Sequence, residues 1–356
     1  MPFTTNLKSS RSPRLNHTRD PKSGRAPAVQ GTLTLPDKRG PLSEWVLDRL
    51  QGRGSLAVPE VPANGGLDDD LQLALYLCYE SHYSTLPGIS EDVEWDPVMI
   101  ALRTSMERSF ETSLRELVGP DTPEGHVQEL LPLIIESDTG PSLSAHMESV
   151  GTLDEMREFI VHRSAYQLKE GDGHTFAIPR LDGRAKQLLV TIQAGEYGAD
   201  APDRTIHSAL FAQTMRSLGL DDRRHAYLDR QPGTALAISN LISLFSLNRR
   251  WRGALVGHLA VFEMSSVVPM GRYGRGLNRM GAPGEARRFY DVHVLADAEH
   301  ETMALDMAQT LADSEPNLAA DIIFGARAVL QVERLFAERL LRGWGRLTTG
   351  RSRAAA

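Results

Sequence analysis

The chain has 356 residues, of which 41% are hydrophobic and 24% charged, a composition typical of a globular protein with a substantial core. Its single cysteine excludes an internal disulfide framework and any zinc or iron–sulfur site built from several cysteines of one chain. Residues 1–40 contain eight Lys or Arg and two Asp, a net charge of +6, which leaves −13 for the remainder because the total is −7. So acidic a remainder argues against nucleic-acid binding.

Residues 1–64 are predicted to precede the main domain. SSRSPR and PKSGRAP are rich in Pro, Ser and Arg without hydrophobic periodicity, which indicates a disordered basic tail over residues 1–40. A short helix over 41–52 and a linker over 54–66 follow. The tail lacks the apolar segment of a secretory signal, and its prolines disfavour the amphipathic helix of a transit peptide. Because no apolar run approaches the length of about 18–20 residues that spans a membrane, we predict a cytoplasmic protein without membrane contact.

Capping and breaking residues divide the rest of the chain into helices. Asp96 and Pro97 start one helix, and a capping box of Thr152 and Glu155 starts another. The predicted helices cover residues 67–83, 96–119, 124–136, 142–150, 152–170, 182–198, 204–218, 233–248, 252–268, 287–311 and 317–344. The glycine-rich segment 270–284 is predicted to be a loop. The β-like run TFAIP is too short to form a sheet, so the pattern predicts an all-α bundle.

The helix predicted over 287–311 has three polar residues on one face. His293, Asp297 and His300 are spaced i, i+4 and i+7, so at about 100° per residue they project within roughly 60° of one another. Two imidazoles and a carboxylate that converge from one side form a 2-His-1-carboxylate set, which suits iron. The alternative is that chance placed three polar residues on one stripe of a buried helix.

A metal site inside a bundle needs ligands from several helices. Glu170 and Glu196 stand at predicted helix ends beside glycines, and His207 stands near the start of the next helix. Glu263 lies among apolar residues, where an ionised carboxylate is costly unless it is paired or bound to a metal. The whole series in chain order is Glu170, Glu196, His207, Glu263, His293, Asp297 and His300.

This series resembles the ligand pattern of the haem-oxygenase-like diiron oxidases and oxygenases, which are also described as iron-containing redox enzymes. The separations are closely similar, although the interval from Glu196 to His207 is about one residue longer than in that pattern. The resemblance extends roughly over residues 67–345 and implies a haem-oxygenase-like helical domain over 65–348, followed by a tail over 349–356. It further implies that the seven side chains bind two metal ions. The reactions implied are N-oxygenation of amines or guanidines and oxidative C–C cleavage of amino or fatty acids.

Charge balance independently favours two iron ions. Two Fe(II) ions bring a charge of +4 and the four carboxylates of the series bring −4, so a buried cluster is close to neutral. Histidine combined with carboxylate suits iron or manganese better than zinc. The expected cofactors are therefore two Fe(II) ions, with Mn as an alternative metal and O2 as co-substrate. A mononuclear iron oxygenase and a non-catalytic helical binding protein derived from this fold are the alternatives.

The partner expected from this interpretation is a small organic substrate, amino-acid-like or fatty-acid-like, of specialised metabolism. An external electron donor and a homodimer are left open, and neither nucleic acid nor a membrane is expected.

Arg163 and Tyr166 are the candidate catalytic residues, because they lie seven and four residues before Glu170 on the same helical face. Arg163 could bind a substrate carboxylate, and Tyr166 could donate a hydrogen bond to a ligand of the metal. The alternative is an arginine that extends to solvent at the bundle end and a tyrosine packed in the core. His174 is predicted to lie on the surface, and His258 is predicted to be structural.

Three arginines of the predicted loop, Arg272, Arg275 and Arg279, have two interpretations. They could face an anionic substrate at the mouth of the site, or they could simply be exposed. GRYGRG follows a helix and not a strand, which excludes a dinucleotide-binding motif there.

Overall fold

The protein is helical in the computed structural model, which describes residues 32–53, 57–84, 86–120, 125–199 and 204–347. No strand occurs in these residues, so the all-α prediction is confirmed. The predicted tails lie outside the described residues, except for residues 32–40. The α-helices in chain order are α1 (Pro41–Leu50), α2 (Asp69–Glu80), α3 (Pro97–Val118), α4 (Val127–Glu136), α5 (Leu143–Ser149), α6 (Leu153–Gln167), α7 (Asp172–Thr175), α8 (Gly183–Glu196), α9 (His207–Ser217), α10 (Gly233–Leu247), α11 (Arg252–Ser265), α12 (Val267–Arg279), α13 (Arg288–Ser314) and α14 (Ala319–Gly343).

Helix starts follow the capping chemistry that the sequence indicates. The Asp96 carboxylate accepts hydrogen bonds from the backbone N–H groups of Val98 and Met99, with Pro97 in the first turn of α3. Thr152 and Glu155 form the predicted capping box of α6. These interactions satisfy backbone donors that have no partner within their own helix.

The first helix is joined to the second by a carboxylate. Asp70 of α2 accepts hydrogen bonds of 2.9 and 2.8 Å from the backbone N–H groups of Leu42 and Ser43. Leu42 and Val46 are buried in the same hydrophobic core as the residues of α2. The predicted helix over 41–52 is therefore present and packs on the bundle.

Helices α11 and α14 meet at their backbones in the middle of the bundle. A Cβ atom on Gly257 would lie 1.9 Å from the carbonyl oxygen of Ile322, and one on Gly325 would lie 2.0 Å from that of Ala254. Because no side chain fits at these distances, only glycine permits this approach. The same helix α11 also packs on α13.

The prediction of a loop over 270–284 is wrong for residues 270–279, because Val267–Arg279 form α12. Pro269 lies in the first turn, where its missing N–H removes no intrahelical hydrogen bond. A Cβ atom on Gly276 would lie 2.7 Å from the carbonyl oxygen of Met147 in α5. This glycine therefore serves close helix packing and does not break the helix.

The arginines of α12 bind the end of α5. Arg272 and Arg275 form ion pairs of 3.5 and 2.6 Å with Glu148. Arg279 donates hydrogen bonds to the carbonyl oxygens of Glu148 and Met147, which would otherwise lack partners at a helix C-terminus. The structure thus gives these side chains a structural role and does not support a contact with substrate.

Within the described residues, no helix taken alone is both long enough and apolar enough to cross a membrane. The segments Arg249–Ser265 and Val267–Arg279 reach the required length and composition only as a pair, with a bend of 51° between them.

Candidate metal centre

The predicted ligands are presented mainly by helix ends. Helix α6 ends at Gln167, and Glu170 lies in the turn that follows, where Gly171 adopts a φ of +88° that favours glycine. Glu196 is the last residue of α8, and His207 is the first residue of α9. At a helix end the chain changes direction within a few residues, so side chains from several helices can point to one place.

The structure brings the predicted residues into two groups that share one carboxylate. In the first group, the ligand atoms of Glu170, Glu196, His207 and His293 all lie within 4.8 Å of one another. In the second group, the same holds for Glu196, Glu263 and His300. All of these side chains are buried.

Asp297, the remaining residue of the predicted series, belongs to neither group but interacts electrostatically with members of both. It is buried and accepts a hydrogen bond from the hydroxyl of Ser266, at the break between α11 and α12. Burial raises the pKa of Asp297, and the carboxylates of Glu196 and Glu170 raise it further against the effect of His293.

Hydrogen bonds around the first group orient one imidazole toward the centre. Nδ1 of His293 lies 2.8 Å from the carbonyl oxygen of Phe289. A carbonyl oxygen can only accept, so Nδ1 carries the proton. Nε2 of His293 is left for a metal, the arrangement usual for metal-bound histidine.

The donor atoms converge but satisfy one another only in part, because Nδ1 of His207 lies within hydrogen-bond distance of Oε2 of Glu196, at 3.0 Å, whereas other donor atoms have no such partner. Oε2 of Glu170 lies 3.5 Å from Nε2 of His293, and Nδ1 of His300 lies 3.3 Å from Oε2 of Glu263. Oε2 of Glu170 and Nδ1 of His300 are nevertheless buried without a hydrogen bond. Such atoms are costly unless a further partner is present. Oxygen and imidazole nitrogen donors in this number fit iron.

The carboxyl groups of the metal-free site differ in acidity. Burial raises the pKa of Glu263 to about 7, with Glu196 and Asp297 adding to the effect of burial and His300 opposing it. Burial also acts on Glu196, but His207 and His293 outweigh it and lower the pKa of Glu196 to about 2. Burial lowers the pKa of His293, yet the neighbouring Glu170 carboxylate reverses this and brings the pKa to about 10.

A cavity of about 260 Å³ adjoins the first group. Glu170, Glu196 and His293 of this group line it, together with Asp297 and with Glu263 of the second group. Its other walls come from the segment 138–144 and from α6, α12 and α14. A small molecule in this cavity would therefore lie next to the candidate ligands.

The candidate catalytic residues Arg163 and Tyr166 both line this cavity. Arg163 neither extends into solvent nor stays free, because it donates two hydrogen bonds, of 2.7 and 2.6 Å, to the carboxylate of Glu333. Its guanidinium also lies over the ring of Phe336. Tyr166 stacks on Phe262 with a ring separation of 5.8 Å. Glu333 is a cavity residue that no sequence signal indicated.

The prediction that His174 lies on the surface is wrong. His174 is 3% exposed, lines the cavity, and lies 3.1 Å from His258. The prediction failed because Gly171 and Gly173 interrupt the helical periodicity after Glu170, so the side on which His174 lies does not follow from spacing. The spacing of four residues from Glu170 was the one signal that could have indicated a shared side.

The turn that contains Glu170 is held to helix α2 by a buried ion pair. Lys169 pairs with Glu80 of α2, whose other oxygen lies 2.7 Å from Nε2 of His225. The ammonium group also lies 4.4 Å from the centre of the Tyr83 ring. Burial acts to raise the pKa of Glu80, but Lys169 and His225 lower it to about 2.

Comparison with known proteins identifies the family of the chain. The model of the family described as "iron-containing redox enzyme" matches residues 157–334, half of the chain, and the match contains all seven predicted ligands. The chain belongs to the iron-containing redox enzyme family. The predicted haem-oxygenase-like fold and the prediction of an iron-dependent oxidoreductase are thereby confirmed.

Among solved structures, the chain is similar to a CADD-like protein of unknown function from Nostoc punctiforme. The two share 14% sequence identity with a TM-score of 0.49, over 61% of this chain and 96% of the other. No curated protein matches the chain.

Proposed function

We propose that this family member is a non-haem diiron enzyme that uses O2 to oxidise a small organic molecule. The observation that carries the proposal is the position of Glu196, which belongs to both groups of ligand atoms. A carboxylate has two oxygens, so Glu196 could contribute a ligand atom to each of two metal sites.

The same arrangement argues against the mononuclear alternative built from His293, Asp297 and His300. His293 and His300 are seven residues apart on one continuous helix, about 10 Å along its axis. His293 and His300 belong to different groups, and Asp297 accepts a hydrogen bond from Ser266. One ion bound by these three residues alone would leave the other converging carboxylates unused.

The residues have separable roles in this proposal. Glu170, Glu196, His207 and His293 would hold one iron ion, and Glu196, Glu263 and His300 the other, with Asp297 close to both. When bound, the irons supply the electrons and the open coordination positions that O2 activation requires. Manganese is the alternative metal, and the second electron pair, where the reaction needs one, would come from an external donor.

The walls of the cavity favour an amino-acid-like substrate over a fatty-acid-like one. Arg163 and Glu333 offer a positive and a negative group side by side, which match the carboxylate and ammonium groups of an amino acid. A fatty acid brings only a carboxylate, which would have to displace Glu333 from Arg163 and leave a partly buried charge without a partner. The stacked rings of Tyr166 and Phe262 line the same cavity and add apolar surface to it.

Metal stoichiometry is the direct test. Protein reconstituted with Fe(II) without oxygen should bind about two iron ions per chain, and admission of O2 should give a transient visible absorption band. Glu196→Gln should bind one iron ion or none, because it weakens both groups. The measurement is iron content by elemental analysis, combined with stopped-flow absorption.

Glu107→Gln provides the matched control. Glu107 is also a buried glutamate, but Tyr79 donates a hydrogen bond of 3.0 Å to it and it belongs to neither group. This variant should retain two iron ions per chain. Saturation of the wild type at one iron ion, without a transient band, would support the mononuclear alternative.

A further inference from the structure

Two buried histidines outside the ligand series lie beside the cavity. Nε2 of His174, in α7, is 3.1 Å from Nδ1 of His258, in α11. His258 is completely buried, whereas His174 lines the cavity together with Glu170 and Glu196. The function proposed above gives neither histidine a role.

On the side of His258 that faces away from His174, the histidine pair has no hydrogen-bond partner among the described residues. Nε2 of His258 is buried without a hydrogen-bond partner, and the ring packs at 79° against Phe262 at 4.5 Å and at 78° against Phe245 at 6.5 Å. A proton that reached His258 would therefore have no polar group to receive it. The remaining nitrogen of the pair is Nδ1 of His174, on the residue that lines the cavity.

We propose that His174 is the acid–base residue of this cavity and that His258 is its positioning residue. The proposal rests on the oxidase function proposed above. The Nε2–H group of His174 donates to Nδ1 of His258, which leaves Nδ1 of His174 as an acceptor. An N–H or O–H group of the substrate transfers its proton to this nitrogen, and the bonding electron pair stays on the substrate atom. The same proton returns to the cavity as the product leaves, so the pair stores a proton and does not conduct it.

The surroundings of His174 keep it unprotonated at neutral pH, so that Nδ1 carries a free lone pair. Burial lowers the pKa of His174 to about 4, and the Glu196 carboxylate of α8 acts in the opposite direction. Burial and His174 together lower the pKa of His258 well below its ordinary value. Three further titratable or charged groups contact this segment. The hydroxyl of Tyr83 lies near Gly173 and donates to Ser243, and Tyr197 and Arg224 both donate hydrogen bonds to Asp172. In the described residues, no hydrogen bond or ring contact joins His174 to a candidate ligand.

The first test uses metal-free protein and needs no substrate. The eleven histidines are labelled with 15N, and His174→Gln and His258→Asn assign the two signals of the pair by their disappearance. At pH 7, His174 should be neutral, with its proton on Nε2 and a bare Nδ1. A proton on Nδ1, or an imidazolium at pH 7, would overturn the proposal. Because iron is absent, this outcome does not depend on the diiron function.

The second test uses iron-loaded protein with hydrogen peroxide as the probe, since its O–H group is a proton donor. His174→Gln keeps a hydrogen-bonding atom toward His258 but cannot take up a proton. Its rate of peroxide decomposition should fall by about 100-fold at unchanged iron content, and the slowing of the wild type in D2O should disappear. His162→Gln is the matched control, because His162 is also buried, has a pKa that burial lowers to about 4, and lines a different cavity. It should stay within about twofold of the wild type.

A third variant separates positioning from packing. His258→Asp offers a carboxylate to Nε2–H of His174, which should raise the pKa of His174 and add an acid limb to the rate–pH profile. His258→Leu should lose rate without gaining that limb. Equal peroxide rates in His174→Gln and the wild type, at equal iron content, would disprove the acid–base role. Failure of the wild type to bind iron would instead refute the diiron function and leave the 15N result to decide on the pair.

Discussion

Replacement of Glu263 by glutamine tests whether its carboxylate is present for metal or for architecture. The pKa of Glu263 is about 7 in the metal-free fold, against an ordinary value of 4.5, because the group is buried close to other carboxylates. The folded state therefore binds more protons than the unfolded state between pH 4.5 and 7, and stability falls as the pH rises through this window. Each pKa unit corresponds to about 1.4 kcal/mol, so the ionised group destabilises the metal-free protein by about 3 kcal/mol at pH 8.

The glutamine side chain of Glu263→Gln would carry no charge at any pH, so this variant should not lose stability as the pH rises. We expect metal-free Glu263→Gln to be more stable than the wild type by up to about 3 kcal/mol at pH 8, and by less than about 1 kcal/mol at pH 5. The assay is urea unfolding with a chelator at both pH values, followed by circular dichroism. With Fe(II) the order should reverse, because the wild type gains binding energy that the variant lacks.

Glu107→Gln again serves as the control, since it should leave the stabilisation by iron unchanged. If the free energies of unfolding of metal-free Glu263→Gln and wild type differed by the same amount at pH 5 and pH 8, the reasoning would be refuted. A metal-free variant less stable than the wild type at pH 8 would show that Glu263 supports the fold.

Three further predictions concern charge in and around the site. His293 has a pKa of about 10, raised by Glu170 against the effect of burial, and must lose a proton to bind metal. Fe(II) affinity in anaerobic chelator competition should therefore rise at least about tenfold per pH unit between pH 6 and 8, and more steeply below pH 7, where Glu263 also loses a proton; a flat profile would contradict this. Asp297→Ala loses one hydrogen bond from Ser266 but also a crowded carboxylate, so metal-free stability should change by no more than about 1 kcal/mol while iron content falls; a much lower metal-free melting temperature would make Asp297 structural. Glu80→Ala leaves Lys169 buried without its partner and should destabilise the metal-free protein by about 3–5 kcal/mol in urea unfolding, an estimate that a loss below about 1 kcal/mol would exclude.

The sequence predicts the helices well where local signals are complete. Helix α13 has an uninterrupted 3.6-residue pattern, so its polar face of His293, Asp297 and His300 follows from spacing alone. Its division into two groups does not follow, because the carboxylates that each histidine meets come from other helices. Which carboxylates lie near His293 and which near His300 is determined by the tertiary packing of the helices.

Glycine caused both clear errors. In α12, the glycine-rich sequence resembles a loop, but Gly276 permits close contact with α5. After Glu170, glycines that do interrupt a helix turn the chain back into the core and bury His174. A single sequence does not distinguish a glycine that ends a helix from one that lets a neighbouring helix approach, since the difference lies in the partner surface.

The contact of α11 with α14 bears on which molecules the enzyme could come to accept. Gly257 and Gly325 hold the two backbones together, and Glu263 of α11 and Glu333 of α14 line the same cavity. The separation between the backbones of the helices that carry these carboxylates is therefore constrained by main-chain contact. A lineage that changed its substrate would have little freedom to lengthen the cavity along this direction, because any larger residue at either glycine would force the helices apart. Variation in substrate size is expected instead in side chains of α6 and α12, where the wall can recede without moving a candidate ligand.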